Sequence, residues 1–214
     1  MLISTPKTCI FLDSYSKFEI LISKQKIFAL GKYFTKVQRY QTHTGAGIGI
    51  TVGAAKLILD LNKTPRRTIR IVMFGSEEVG LIGAKAYAKK YRDTLDKHIV
   101  GAESDFGAGK IWKFDTNFAQ EKLFLAESMH KVLEPLGIGR GDNNASGGPD
   151  IGPLRELGVP AVTLKQNGWD YFDYHHTADD TLDKIDKSDI AQNVAAYAAF
   201  VWMAANIDGH FRKD

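Results

Sequence analysis

The sequence predicts an α/β fold: a three-layer sandwich in which a mostly parallel mixed sheet lies between helices. Three observations carry this reading. Apolar runs of strand length alternate with longer apolar stretches of helical period. Two of the strand-like runs end in small and acidic residues, Gly75-Ser76-Glu77-Glu78 and Ser104-Asp105, as strands do at the carboxyl rim of an open sheet. The chain has 214 residues, 44% of them hydrophobic, enough for one sizeable core, so 1–214 reads as one domain.

The elements follow in order. Residues 8–12 read as a strand. Gly45-Ala46-Gly47 opens an apolar stretch from Ile48 to Leu61, a buried helix that stops before Asn62 and Pro65. Thr68 to Phe74 is a strand, and 77–91 reads as a helix with Val79, Ile82, Ala86 and Tyr87 at helical spacing. Strands follow at 98–104 and 110–114, then a helix over 118–135 capped by Asn117 and broken at Pro135-Leu136-Gly137. A Gly- and Asn-rich loop, 139–149, leads to a short helix at 150–157 and a strand at 158–164. The long loop 166–186 precedes a last apolar helix, 190–205, which Ser188 is placed to cap.

Composition excludes several classes. One cysteine, Cys9, rules out an internal disulfide and a cysteine-based zinc cluster. No apolar run reaches the length of a membrane span, and the first residues lack the apolar core of a secretory signal, so the chain as written is expected in the cytoplasm. The net charge of +3 gives little reason to expect a nucleic-acid partner. That charge is concentrated in residues 14–42, where Lys17, Lys24, Lys26, Lys32, Lys36 and Arg39 face the single acid Glu19. This atypical basic segment reads as an insertion forming an amphipathic helix around Ile20 to Val37, or as the product of a shifted reading frame.

The chemistry-bearing residues lie where strands end. Glu77 and Glu78 follow the strand 68–74, Asp105 follows 98–104, and the loop Tyr171-Phe172-Asp173-Tyr174-His175-His176-Thr177 adds two imidazoles. Carboxylates and imidazole in one cleft suit a hydrolytic zinc site, with one acid holding the ion while its neighbour moves a proton. The competing reading is structural: paired Glu at a helix start favour the helix dipole, with Ser76 as the cap. Trp169, Tyr171 and Phe172 read either as a substrate-pocket wall or as rim packing.

Four ordered stretches make the sequence resemble the di-zinc aminopeptidase and glutamate carboxypeptidase family of metallopeptidases, in its carboxypeptidase Q-like branch. They are 74–84 (Phe74-Gly75-Ser76-Glu77-Glu78-Val79-Gly80-Leu81-Ile82-Gly83-Ala84), 103–107 (Glu103-Ser104-Asp105-Phe106-Gly107), 147–154 (Gly147-Gly148-Pro149-Asp150-Ile151-Gly152-Pro153-Leu154) and 171–184. The resemblance implies a zinc-dependent exopeptidase acting on short peptides, with one or two zinc ions and the sheet fold already read. It implies that Glu77 is the general base, that Glu78 and His176 bind one zinc, and that Asp105 binds the other. His175 would be a neighbour rather than a ligand. Relatives of this kind are often secreted.

Two stretches depart from the family pattern. Phe11-Leu12-Asp13-Ser14-Tyr15 stands where the family has a His-x-Asp-Ser-Trp-like run; Asp13 matches the acid behind the first ligand, but Phe11 replaces the ligand itself. His43-Thr44 stands where paired Asp, the first of them bridging both ions, precede the Gly-Ala-Gly start. A neutral imidazole offers one lone pair and cannot bridge two ions about 3.5–4 Å apart. The resemblance therefore implies at most one well-liganded zinc, held by Glu78, His176 and His43. A degenerate, non-catalytic relative is the alternative.

Overall fold

The computed structural model describes residues 7–13, 18–22 and 43–212, with side chains from Gly45 onward. A seven-stranded mixed sheet lies between helices. Its strands are β1 (Lys7–Asp13), β2 (Phe18–Ile22), β3 (Thr68–Phe74), β4 (His98–Ser104), β5 (Ile111–Asn117), β6 (Gly139–Arg140) and β7 (Ala161–Gln166), in the order β2-β3-β1-β4-β7-β5-β6. The helices are α1 (His43–Asp60), α2 (Ile82–Lys90), α3 (Leu123–Leu133), α4 (Gly152–Arg155), α5 (Tyr171–Tyr174) and α6 (Lys187–Asn206).

Strand β3 shows why the sheet is sandwiched. Every residue of Thr68–Phe74 is buried, the mark of a strand covered on both faces. Ile69 and Ile71 point into a core shared with α1, α3 and α6, through Ile50, Ala54, Met129, Tyr197 and Phe200. Val72 and Phe74 point the other way, against Ala84, Tyr87 and Ala88 of α2 and Leu154 of α4. The period-2 alternation thus divides one continuous apolar run between two layers.

Direction within the sheet decides what reaches the site. β4 and β7 are parallel, and both β3 and β4 run antiparallel to β1, so β3, β4 and β7 end on one rim. β1 runs the opposite way. Its first residues face the carboxyl ends of its neighbours (Lys7 opposite Phe74, Thr8 opposite Ser104), while Asp13 pairs with Thr68 and His98 at the far rim. Asp13, which the resemblance leaves as an acid with no histidine to orient, thus lies at the end of the sheet opposite Glu77, Glu78 and Asp105. Phe11 lies in mid-strand opposite Arg70 and Gly101. In the basic segment, Phe18–Ile22 is a strand parallel to β3, so the helix expected from Ile20 does not begin there. Residues 14–17 and 23–42 lie outside the described residues.

Two ends of the fold are held by charge on backbone. Arg67, just before β3, donates to the carbonyls of Ala204 (3.0 Å), Ile207 (2.6 Å) and Gly209 (2.5 Å) at the end of α6. At the start of α6 the cap is Asp186, not Ser188: its Oδ1 accepts from the amides of Ser188 (2.7 Å) and Asp189 (3.1 Å). The Ser188 hydroxyl and these amides hold the Asp186 carboxyl below its ordinary value. A carboxyl with a depressed pKa contributes stability above its unfolded value of about 4 that is lost as the pH falls through the folded value. Asp186→Ala is thus expected to lower the melting temperature at pH 7, with the difference from wild type shrinking in acid; thermal melts from pH 7 to pH 3 check this. Among the described residues no helix is long and apolar enough to cross a membrane.

Candidate metal centre

The first part of the site is the connection from β3 to α2. The helix expected from residue 77 begins only at Ile82, so the Glu pair does not fill a first helical turn and Ser76 is not its cap. The reason is a backbone pinch. The Gly83 amide donates to the Gly75 carbonyl at 3.0 Å, and a Cβ on Gly83 would lie 2.7 Å from that oxygen and 2.8 Å from the Gly75 nitrogen. The intervening residues close a tight loop in which the Gly80 and Leu81 amides both donate to the Glu77 carbonyl, at 3.0 and 2.9 Å. Ser76 and Leu81 take left-handed backbone angles (φ 62° and 57°) to make it. The loop leaves Glu78 exposed, while Glu77 is half-buried with its Oε2 covered.

The second part comes from the loop after β7. Helix α5 ends at Tyr174, and His176 has φ 60°, a left-handed value for a non-glycine residue. Such backbone costs of the order of 1–3 kcal/mol and gathers at functional sites. His176 Nε2 lies 3.3 Å from Glu78 Oε1. His175 stacks on His176 with ring centroids 3.8 Å apart, and Tyr171 stacks on His175 at 4.9 Å. Tyr171 in turn stacks on Phe106 at 4.2 Å, joining this loop to the residue after Asp105.

Glu78, His175 and His176 each offer one ligand atom, and these atoms lie within 4.8 Å of one another. Two imidazole nitrogens and one carboxylate oxygen are a donor set that zinc accepts in catalytic sites. Asp105 ends β4 on the same rim but stands outside the group, and among the described residues it belongs to no other such set. Among the described residues, the donors thus form one group that fits a zinc ion. His43 begins α1; its side chain lies outside the described residues.

Below the rim, sequence reasoning missed the residue that braces it. Glu103 is buried beside Asp105; its Oε2 accepts the Asp150 amide at 2.8 Å, and its carbonyl accepts the Tyr197 hydroxyl at 2.6 Å. Its amide donates to Gly147 at 2.9 Å, and a Cβ on Gly148 (φ 109°) would run into its carboxylate. The stretch 147–150 is therefore packed against the end of β4. An acid inside the strand-like run 98–104, next to its last residue, was the available signal, since a buried carboxylate requires partners.

A layered α/β domain whose carboxyl rim gathers glutamate and histidine defines the class: a zinc-peptidase fold. The chain belongs to Peptidase family M28, whose profile matches residues 42–201. Carboxypeptidase Q of Rattus norvegicus is 27% identical over 164 residues, covering 77% of this chain and 34% of that protein. Carboxypeptidase Q of Xenopus laevis is 30% identical over 138 residues, covering 64% and 29%. This chain thus spans about a third of the length of these curated relatives. Among solved structures, a Peptidase M28 precursor from Shewanella amazonensis SB2B is 40% identical with a TM-score of 0.78, over 95% of this chain and 46% of that one. An aminopeptidase from Aneurinibacillus sp. strain AM-1 shares the fold, with 21% identity, a TM-score of 0.55, and coverage of 93% and 46%.

Proposed function

We propose that this chain is a zinc-dependent exopeptidase that hydrolyses short peptides with water as the nucleophile. The observation that carries the reading is the pairing of Glu77 and Glu78 on one pinched loop, with Glu78 facing His175 and His176. Zinc, when bound, polarises the scissile carbonyl and acidifies the attacking water. Glu78, His175 and His176 would hold it. Glu77 is the base: its carboxylate is held half-buried one residue from a ligand, where it takes the proton from water and hands it to the leaving amine. No acyl-enzyme is needed, and the sequence offers no Gly-x-Ser-x-Gly elbow to form one.

The aromatic surface beside the imidazoles suits a peptide. Phe106, Tyr171 and Phe172 form an edge-and-face cluster beside the imidazoles, with Phe106 partly exposed, Phe172 largely so and Trp169 almost fully so. Aromatic surface next to a polar centre supports binding of a peptide side chain.

A second reading, a non-catalytic relative, is favoured by Phe11 and by His43-Thr44 at positions where the family keeps ligands. Zinc-loaded protein assayed on dipeptides and aminoacyl-anilides separates the two. Hydrolysis abolished by a chelator and restored by zinc is expected. Rates equal to buffer on every substrate at saturating zinc would establish the relic instead.

A further inference from the structure

We infer that Asn167-Gly168, where β7 gives way to the loop that carries His175 and His176, is a self-modifying site: the asparagine converts spontaneously to aspartate and isoaspartate. The substrate is the chain itself and water is the one co-reactant, so neither zinc nor peptidase activity is needed.

The local geometry leaves the nucleophile open and activates the group it attacks. Asn167 is exposed. Its Oδ1 accepts the Trp169 amide at 3.1 Å, an Asx turn that folds the side chain forward over the next peptide unit. That N–H meets the oxygen on which negative charge builds when Cγ is attacked, as a donor in an oxyanion hole does. Among the described residues the Gly168 amide donates to no protein group, so its nitrogen is not tied up. Packing fixes the glycine: a Cβ on Gly168 would overlap the Phe106 ring, which stacks on Tyr171 at 4.2 Å. The aromatic cluster thus enforces the residue type whose nitrogen no side chain shields.

The Gly168 nitrogen loses its proton and bonds to Asn167 Cγ. The Cγ–Nδ2 bond breaks, and ammonia leaves with that proton. Water then opens the cyclic imide. Cleavage between the Gly168 nitrogen and Cγ gives aspartate; cleavage between that nitrogen and the main-chain carbonyl carbon gives isoaspartate, with the chain routed through Cγ. Other asparagines are shielded. Asn193 is fully buried, and both ends of the Asn143 amide are held by the Phe118 backbone. The amides that follow Asn144 and Asn206 donate to the Thr116 and Met203 carbonyls, at 2.9 and 2.8 Å. Isoaspartate adds a backbone atom where none fits. The Asn167 amide is held by the Lys110 carbonyl at 2.8 Å, and its own carbonyl lies so close to Gly109 that a Cβ there would overlap it. The added length is pushed into the loop, lifting Gly168 from its seat under Phe106.

Folded protein incubated at neutral and at mildly alkaline pH, then digested and mapped by mass spectrometry, tests this, with a protein-isoaspartate methyltransferase labelling the isoaspartate. The expected result is the mass gain of an amide-to-acid change at Asn167, with label on the same peptide. It should accumulate faster at the higher pH, since the attacking nitrogen must lose a proton, and at a rate comparable to that of the urea-unfolded chain. Asn143 and Asn193 should convert only in urea. Asn167→Gln, which would have to close a larger ring, should remove the label. Its near-UV circular dichroism should stay constant over an incubation that changes the wild-type signal from the loop aromatics. In the folded protein, an Asn167 peptide no more modified than the Asn193 peptide overturns the inference. Full conversion at Asn167 with an unchanged near-UV spectrum overturns the displacement of the loop.

Discussion

Glu77→Gln is expected to lower kcat for peptide hydrolysis by about 10²–10⁴-fold, the usual range for loss of a positioned base, while zinc uptake stays at the wild-type level. The two halves of this result follow from one geometry. Glu77 lies outside the group formed by Glu78, His175 and His176, so its carboxylate is not needed to hold the ion. Its backbone carbonyl, which accepts the Gly80 and Leu81 amides, is untouched by the change, so the loop that presents Glu78 keeps its shape. The amide that replaces the carboxylate is nearly isosteric but cannot accept a proton at neutral pH. Steady-state kinetics with calorimetric zinc titration of the same variant checks both halves. Unchanged kcat would remove Glu77 from the chemistry; lost zinc would make it a ligand.

The second large effect concerns two glycines of one helix. In α1 a Cβ on Gly47 would overlap the carbonyl oxygen of Ser104, whereas a Cβ on Gly49 meets nothing within 4 Å. Helix propensity alone favours Gly→Ala at both positions by roughly 0.5–1 kcal/mol. Gly49→Ala is therefore expected to stabilise the protein by about that amount. Gly47→Ala is expected to destabilise it by about 1–3 kcal/mol, the range for overpacking against atoms that cannot yield, because backbone on both sides must part. It also displaces the end of β4 just before Asp105. Urea unfolding of the two variants against wild type measures the contrast; equal and same-signed changes would mean that α1 does not seat on β4.

The contrast also shows what was legible in the sequence. The strand-length apolar runs at 68–74 and 98–104 and the long apolar stretch that became α6 announced their elements, since burial on both sheet faces is written in the residues themselves. The start of α2 was not legible, because a pinch between Gly75 and Gly83, eight positions apart, overrides a local pattern that continues through residue 77. The place of Asp13 was not legible for a similar reason: no local feature of Lys7–Asp13 states that the strand runs against its neighbours. His176 was assigned to a ligand by resemblance and does lie against Glu78. His175 was set down as a neighbour because the resemblance placed the ligand at His176; the left-handed turn at His176 and the stacking of the two rings are not written in the local sequence.

One measurement bears most directly on the whole account: hydrolysis of a dipeptide by metal-free protein as zinc is added in steps. Activity that rises linearly and levels off at one equivalent of zinc per chain is the expected outcome. Activity that needs a second equivalent, or none at any zinc concentration, would contradict a one-ion peptidase centre built on Glu78, His175 and His176.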